Sequence, residues 1–163
     1  MTKPTEQAFK KLPIFYVGDN FKEWFYPLAF NSKAKVKKLE SQKLPRDMND
    51  GEIIGELNPG EVSIEEIVAT LETLDHSAWA LFYCKDINGA LRAVSVSWRG
   101  DGWYVYAYVA SLSDLWGDGS HVFSRNLVNA KKLGTSDPLT LEPLVARIEK
   151  LEKTIEKIKQ ALQ

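Results

Sequence analysis

The chain has 163 residues, a length suited to one domain and short for two. Its 44% hydrophobic and 26% charged residues exclude a disordered, collagen-like or low-complexity chain, and a net charge of −1 lacks the basic excess of a dedicated nucleic-acid binder. One cysteine, Cys84, excludes an internal disulfide framework or multi-cysteine zinc site, and no apolar run nears the ~20 residues that span a bilayer.

Residues 1–13 read as a polar lead-in without a secretory signal, so the expected setting is cytoplasmic, away from membranes, with no cofactor or metal. Ile14 to Val17 is a short apolar strand that runs into the turn residues Gly18-Asp19-Asn20. Phe21, Trp24, Phe25 and Leu28 then have helical spacing, with Asn20 and Glu23 placed like a capping pair. Pro27 limits this segment to a short helix or an irregular aromatic stretch.

Lys33, Lys35, Lys37, Lys38, Lys43 and Arg46 follow on an expected exposed connection. Behind them comes an acidic run from Asp47 to Asp75 with no Lys or Arg. Such blocks attract oppositely charged partners or offset one another as solvated faces; the second reading is the simpler. Within the acidic run, Ser63 to Leu74 predicts a helix. Ser63 and Glu66 form a capping box, and Ile64, Ile67, Val68, Leu71 and Leu74 share a face that should pack on a sheet.

Trp79 to Cys84 is a near-continuous apolar run, as in a buried strand, and Asn88-Gly89 marks a reversal. Leu91–Trp98 and Trp103–Val109 flank Arg99-Gly100-Asp101-Gly102, a hairpin signal in which the adhesion-like Arg-Gly-Asp is read as turn chemistry. A four-residue loop pairs Trp98 with Trp103, Val96 with Val105, Val94 with Ala107 and Arg92 with Val109, which form a core-facing surface. The opposite face carries Tyr104, Tyr106 and Tyr108 beside Ser97, Ser95 and Ala93. With Lys35, Lys37 and Lys38 those rings are candidates for stacking bases or sugars; the favoured reading has the face covered by the Ser63 helix or a partner.

Ser113 to Asn126 is the densest polar cluster beyond the hairpin. Asp114, Asp118 and His121 can share a divalent cation, and Ser120 or Ser124 beside His121 has the elements of a nucleophile and base. Neither pattern has a specific spacing, so a structural or binding loop is the simpler expectation. His76 is expected at a helix end, where it helps satisfy terminal carbonyls, and Cys84 is expected in the core.

The strongest signal is C-terminal. Leu141, Leu144, Ile148, Leu151, Ile155, Ile158 and Leu162 alternate spacings of three and four, a heptad seam with Leu141 at a. Thr140 can cap this helix, and Pro143 falls in its first turn. At ~1.5–3 kcal/mol per buried Leu or Ile, exposing the seam forgoes roughly 10–20 kcal/mol, so it requires a partner. Arg147 at g and Glu152 at the following e favour parallel chains, while Ile158 at d leaves dimer and trimer both open.

The expected fold is α+β: an antiparallel β-meander packed by a helix over residues 1–134, with a coiled-coil oligomerisation helix over 135–163. The expected function is a non-enzymatic homo-oligomeric binding or assembly protein. The alternatives are a single-stranded nucleic-acid binder using the tyrosine face and lysines, and a metal-assisted enzyme at Asp114, Asp118 and His121.

Overall fold

The structure is a computed structural model that describes residues 3–77, 79–125 and 141–162, with side chains in the last segment from Ile148 onward. Two compact units divide the chain at Met1–Val128 and Asn129–Gln163, a few residues before the boundary expected at 134. Each is taken by itself below.

In the first unit a six-stranded sheet has the order β1-β6-β5-β4-β8-β2. Its centre is the expected meander: β4 (Ala80–Lys85), β5 (Leu91–Trp98) and β6 (Trp103–Val109). The β5–β6 register pairs Trp98 with Trp103 and Arg92 with Val109, and every step between agrees with the sequence reading. Gly89 and Gly100 supply the positive φ (81° and 78°) that their turns require.

The sheet as a whole is mixed rather than antiparallel. β1 (Ile14–Val17) lies parallel to β6, and β8 (His121–Ser124) lies parallel to β4 and antiparallel to β2 (Glu40–Lys43). Both outer sides of a meander present unpaired amides and carbonyls. The strands that satisfy them arrive through long connections, which permit either direction, whereas the tight turns within the meander permit one.

Because β4 is buried on both faces, its side chains divide between two cores. Ala80, Phe82 and Cys84 join Val94, Val96, Val105 and Ala107 on one face, under α1 (Pro4–Lys10), α2 (Asp19–Phe25) and α4 (Ile64–Thr73). Leu81 and Tyr83 join Ala93 and Val122 on the other, under Ile53 and Leu57 of α3 (Asp50–Leu57). A two-stranded ribbon, β3 (Met48–Asn49) with β7 (Leu115–Trp116), flanks α3.

Several elements depart from the sequence reading. The supposed polar lead-in contains α1, which seats Phe9 in the core against Phe21 at 5.0 Å between ring centroids. α2 begins one residue earlier than the proposed Asn20 cap, and its Gly18 cap position makes no side-chain cap bond; Asn20 Nδ2 instead donates to the Ala107 carbonyl of β6. The lysine-rich connection ends in β2, with Leu39 and Leu44 buried on either side of it. α4 starts at its expected Ser63 cap, which accepts from the Glu66 amide. The Glu66 carboxylate, however, takes the Ser63 hydroxyl and the Arg125 guanidinium rather than returning to the Ser63 amide.

The described part of the second unit is one helix, α5 (Leu141–Ala161). Along it Ile148, Leu151, Ile155 and Ile158 are each 53–56% exposed, and Leu162, just beyond its end, is 83% exposed.

A candidate aromatic binding surface

α3 covers only the β4–β8 side of its sheet face. Over β6 and β1 the same face is open, and the tyrosines of alternate β6 positions stand on it. The open face corrects the expectation that the Ser63 helix would cover these rings: α4 packs on the opposite side, with Val94 and Val96. A strand carries side chains to each face in turn, but the β1–β6 register shifts between Ile14 and Tyr16. Ile14 and Val17 therefore remain with the core while Phe15 and Tyr16 both join the tyrosine face. Gly102 makes this docking possible, since a Cβ there would lie 2.7 Å from the Pro13 carbonyl oxygen, which accepts from the Trp103 amide.

The result is a continuous strip of rings. Phe15 stacks on Tyr104 at 5.3 Å, Tyr16 bridges Tyr104 and Tyr106 at 6.0 and 5.6 Å, and Tyr106 stacks on Tyr108 at 6.2 Å. Trp116 closes the strip, 5.7 Å from Tyr108 and turned 70° to it. Phe15, Tyr16 and Tyr108 are 43–58% exposed, so the strip is solvent-facing surface rather than core. Partial burial, with Tyr106 alongside, raises the Tyr108 phenol above its ordinary pKa. At the Phe15 end the Arg99 guanidinium lies over Tyr104, 4.7 Å from the ring centre.

Trp116 is held by a buried carboxylate. Asp50, at the first position of α3, accepts from Trp116 Nε1 (2.7 Å), the Tyr83 hydroxyl (2.6 Å) and the Ser111 amide (2.7 Å); its own amide donates to the Ser111 carbonyl. An isolated buried carboxylate is costly, and three donors offset that cost while locking the 111–116 loop to α3. Burial, then Asp50, drives the Tyr83 phenol far above its ordinary range, so it stays a donor. Tyr108, Val109, Ser111, Asp114, Leu115 and Trp116 enclose a cavity of about 210 Å³ over Asp50. Sequence reading identified three of the strip's rings. Phe15 and Tyr16 needed the bulge, and Trp116 needed the fold.

The lysines proposed to accompany the tyrosines lie elsewhere. The backbone carrying Lys35 passes through Asn31, Ala34 and Val36, which line a groove with Ala8 of α1, Leu12 just beyond it and Val68 of α4, on the far side of the sheet. Lys37 and Lys38 lead to β2, at the sheet edge remote from β6. Of the basic block, Arg46 bonds to Glu52 (3.0 Å) and Glu56 (2.7 Å) of the acidic one.

Asp114, Asp118 and His121 do not converge: among the described residues no group of three or more His, Cys, Asp or Glu side chains could hold a metal ion. Asp114 lies at the cavity, the Asp118 amide donates to Asp47, and His121 begins β8. His76 stacks flat on Trp98 at 3.6 Å, so it packs on a ring rather than serving the end of α4. Burial, aided by Glu61 and Glu65, pushes the Cys84 thiol up to about 12, which leaves it an unreactive core residue. Among the described residues no helix is long and apolar enough to cross a membrane. Comparison with family models, with curated proteins and with solved structures finds no match to this chain.

Proposed function

We propose that this chain is a non-enzymatic, homo-oligomeric binding protein: α5 associates with its copies as a parallel coiled coil, and each copy offers its ring strip to a ligand. The observation that carries the reading is the exposed seam of α5, where Ile148, Leu151, Ile155 and Ile158 recur every three and four residues with more than half their surface open. A 21-residue helix with a narrow apolar stripe is marginal alone in water and gains its stability from a second such helix. Association also raises local copy number, so weak single-strip contacts add up to useful avidity. The expected setting remains cytoplasmic, on the strength of the single cysteine.

The open rings also favour single-stranded nucleic acid as a ligand, but the lysines that would accompany them lie across the sheet, so this is the lesser reading. The metal-assisted enzyme has the least support, because its three ligands do not meet. Light scattering decides the main reading. The full chain is expected to run as a dimer or trimer, and a form ending before Leu141 or an Ile148→Asp/Ile155→Asp variant as a monomer. A monomeric full chain at high micromolar concentration overturns it.

A further inference from the structure

We propose that the ring strip and the cavity at its Trp116 end bind an extended proline-rich peptide that carries a basic residue at the cavity. The proposal rests on reading the strip as a ligand surface and is independent of self-association through α5.

Four observations carry it. The strip is elongated: Tyr104 to Tyr108 along β6, continued by Trp116 beyond Tyr108 and flanked at the Tyr104 end by Phe15 and Tyr16 of β1, spans on the order of 20 Å at ~3.4 Å per strand residue. That length matches six or seven residues of polyproline II helix at ~3.1 Å each. Second, Tyr106 stacks on Tyr108, Phe15 stacks on Tyr104, and Arg99 also lies over the Tyr104 ring. The strip therefore presents ring edges, hydroxyls and the gaps between them rather than free flat faces. Such a ridged surface suits pyrrolidine rings, and its phenols can donate to the solvated carbonyls of a polyproline helix.

Third, the cavity is smaller than the ~300 Å³ at which small-molecule sites begin, so it takes one side chain. Tyr108 and Trp116 meet there nearly at right angles, with exposed Val109 and Leu115 at the mouth. Fourth, the charge is one-sided. The exposed Asp114 makes the cavity end negative, and Arg99 is a cation at the other end. An exposed carboxylate attracts a lysine or arginine and repels phosphate, which separates a basic-flanked peptide from a nucleic acid.

The test is fluorescence anisotropy with the full chain and three labelled probes: about seven prolines followed by arginine, the same prolines followed by glutamate, and an oligothymidylate. The arginine peptide is expected to bind saturably and more tightly than the glutamate peptide. Tyr106→Ala should weaken it about tenfold or more. Leu115→Lys, at an exposed position where folding is not at stake, should do the same by opposing the basic residue. Asp114→Asn should remove the preference for arginine over glutamate.

Failure of the arginine peptide to bind at millimolar chain overturns the proposal, as does tighter binding of oligothymidylate or an unaltered affinity in Leu115→Lys. Light scattering on the same samples keeps the two readings apart. An oligomer that ignores the peptide overturns only the ligand class, and a monomer that binds it overturns only self-association.

Discussion

Two buried carboxylates show what single side chains do in this fold. Asp50 gathers three donors from three segments, and Asp86 does similar work at the β4–β5 turn. Asp86 Oδ1 accepts from the amides of Asn88 (2.8 Å) and Ala90 (2.9 Å), and Oδ2 accepts from Arg92 Nε (2.8 Å). The Arg92 guanidinium also lies 3.9 Å from the centre of the Trp24 ring, tying the hairpin to α2. Burial pushes the Asp86 carboxyl up, but Arg92 and the two amides together outweigh it and hold the group below its ordinary 3.8. A depressed folded-state pKa contributes stability in full above the unfolded value and loses it as pH falls through the folded one. Asp86→Asn is therefore expected to cost on the order of 1–3 kcal/mol at pH 7. Urea midpoints should show the gap between wild type and variant narrowing as pH drops below 3.8. A gap that is constant down to pH 2 contradicts the assignment.

At the scale of elements, the hairpin and α4 were legible because their signals are local. Alternation within Leu91–Trp98 and within Trp103–Val109, across a four-residue turn, leaves one register that keeps Val94, Val96, Val105 and Ala107 on a common face. Ser63 likewise announces its helix without help from the rest of the chain. α3 was not seen, because Gly51 and Gly55 lie in an acidic run and lower its helical signal. The missed cue is Asn49 with Glu52, a full capping box in the structure. The parallel placement of β1 and β8 had no local signature at all, being set by which strands reach the meander's open sides. Nothing lies within 4 Å of a Cβ built at Gly55, and its φ is not positive. Gly55→Ala is accordingly expected to stabilise the fold by about 0.5–1 kcal/mol, read as a higher urea midpoint with an unchanged slope.

For the whole first unit, the pairing map sets an order of assembly. β4, β5 and β6 are neighbours both in sequence and in the sheet, whereas β1 meets β6 only after most of the unit lies between them. Local contacts close cheaply and distant ones wait. Pulse-labelled hydrogen exchange during refolding should find β5 and β6 amides protected before those of β1; simultaneous protection would contradict this order.

The same map has a consequence during synthesis. Ile14 is made long before its partner Trp103, and at ~5–20 residues per second the delay is on the order of 5–20 s. Through that interval a nascent chain carries Phe15 and Tyr16 on a strand whose template does not yet exist. Crowded polysomes, where several unfinished copies sit side by side, are therefore where this protein is most exposed to mispairing.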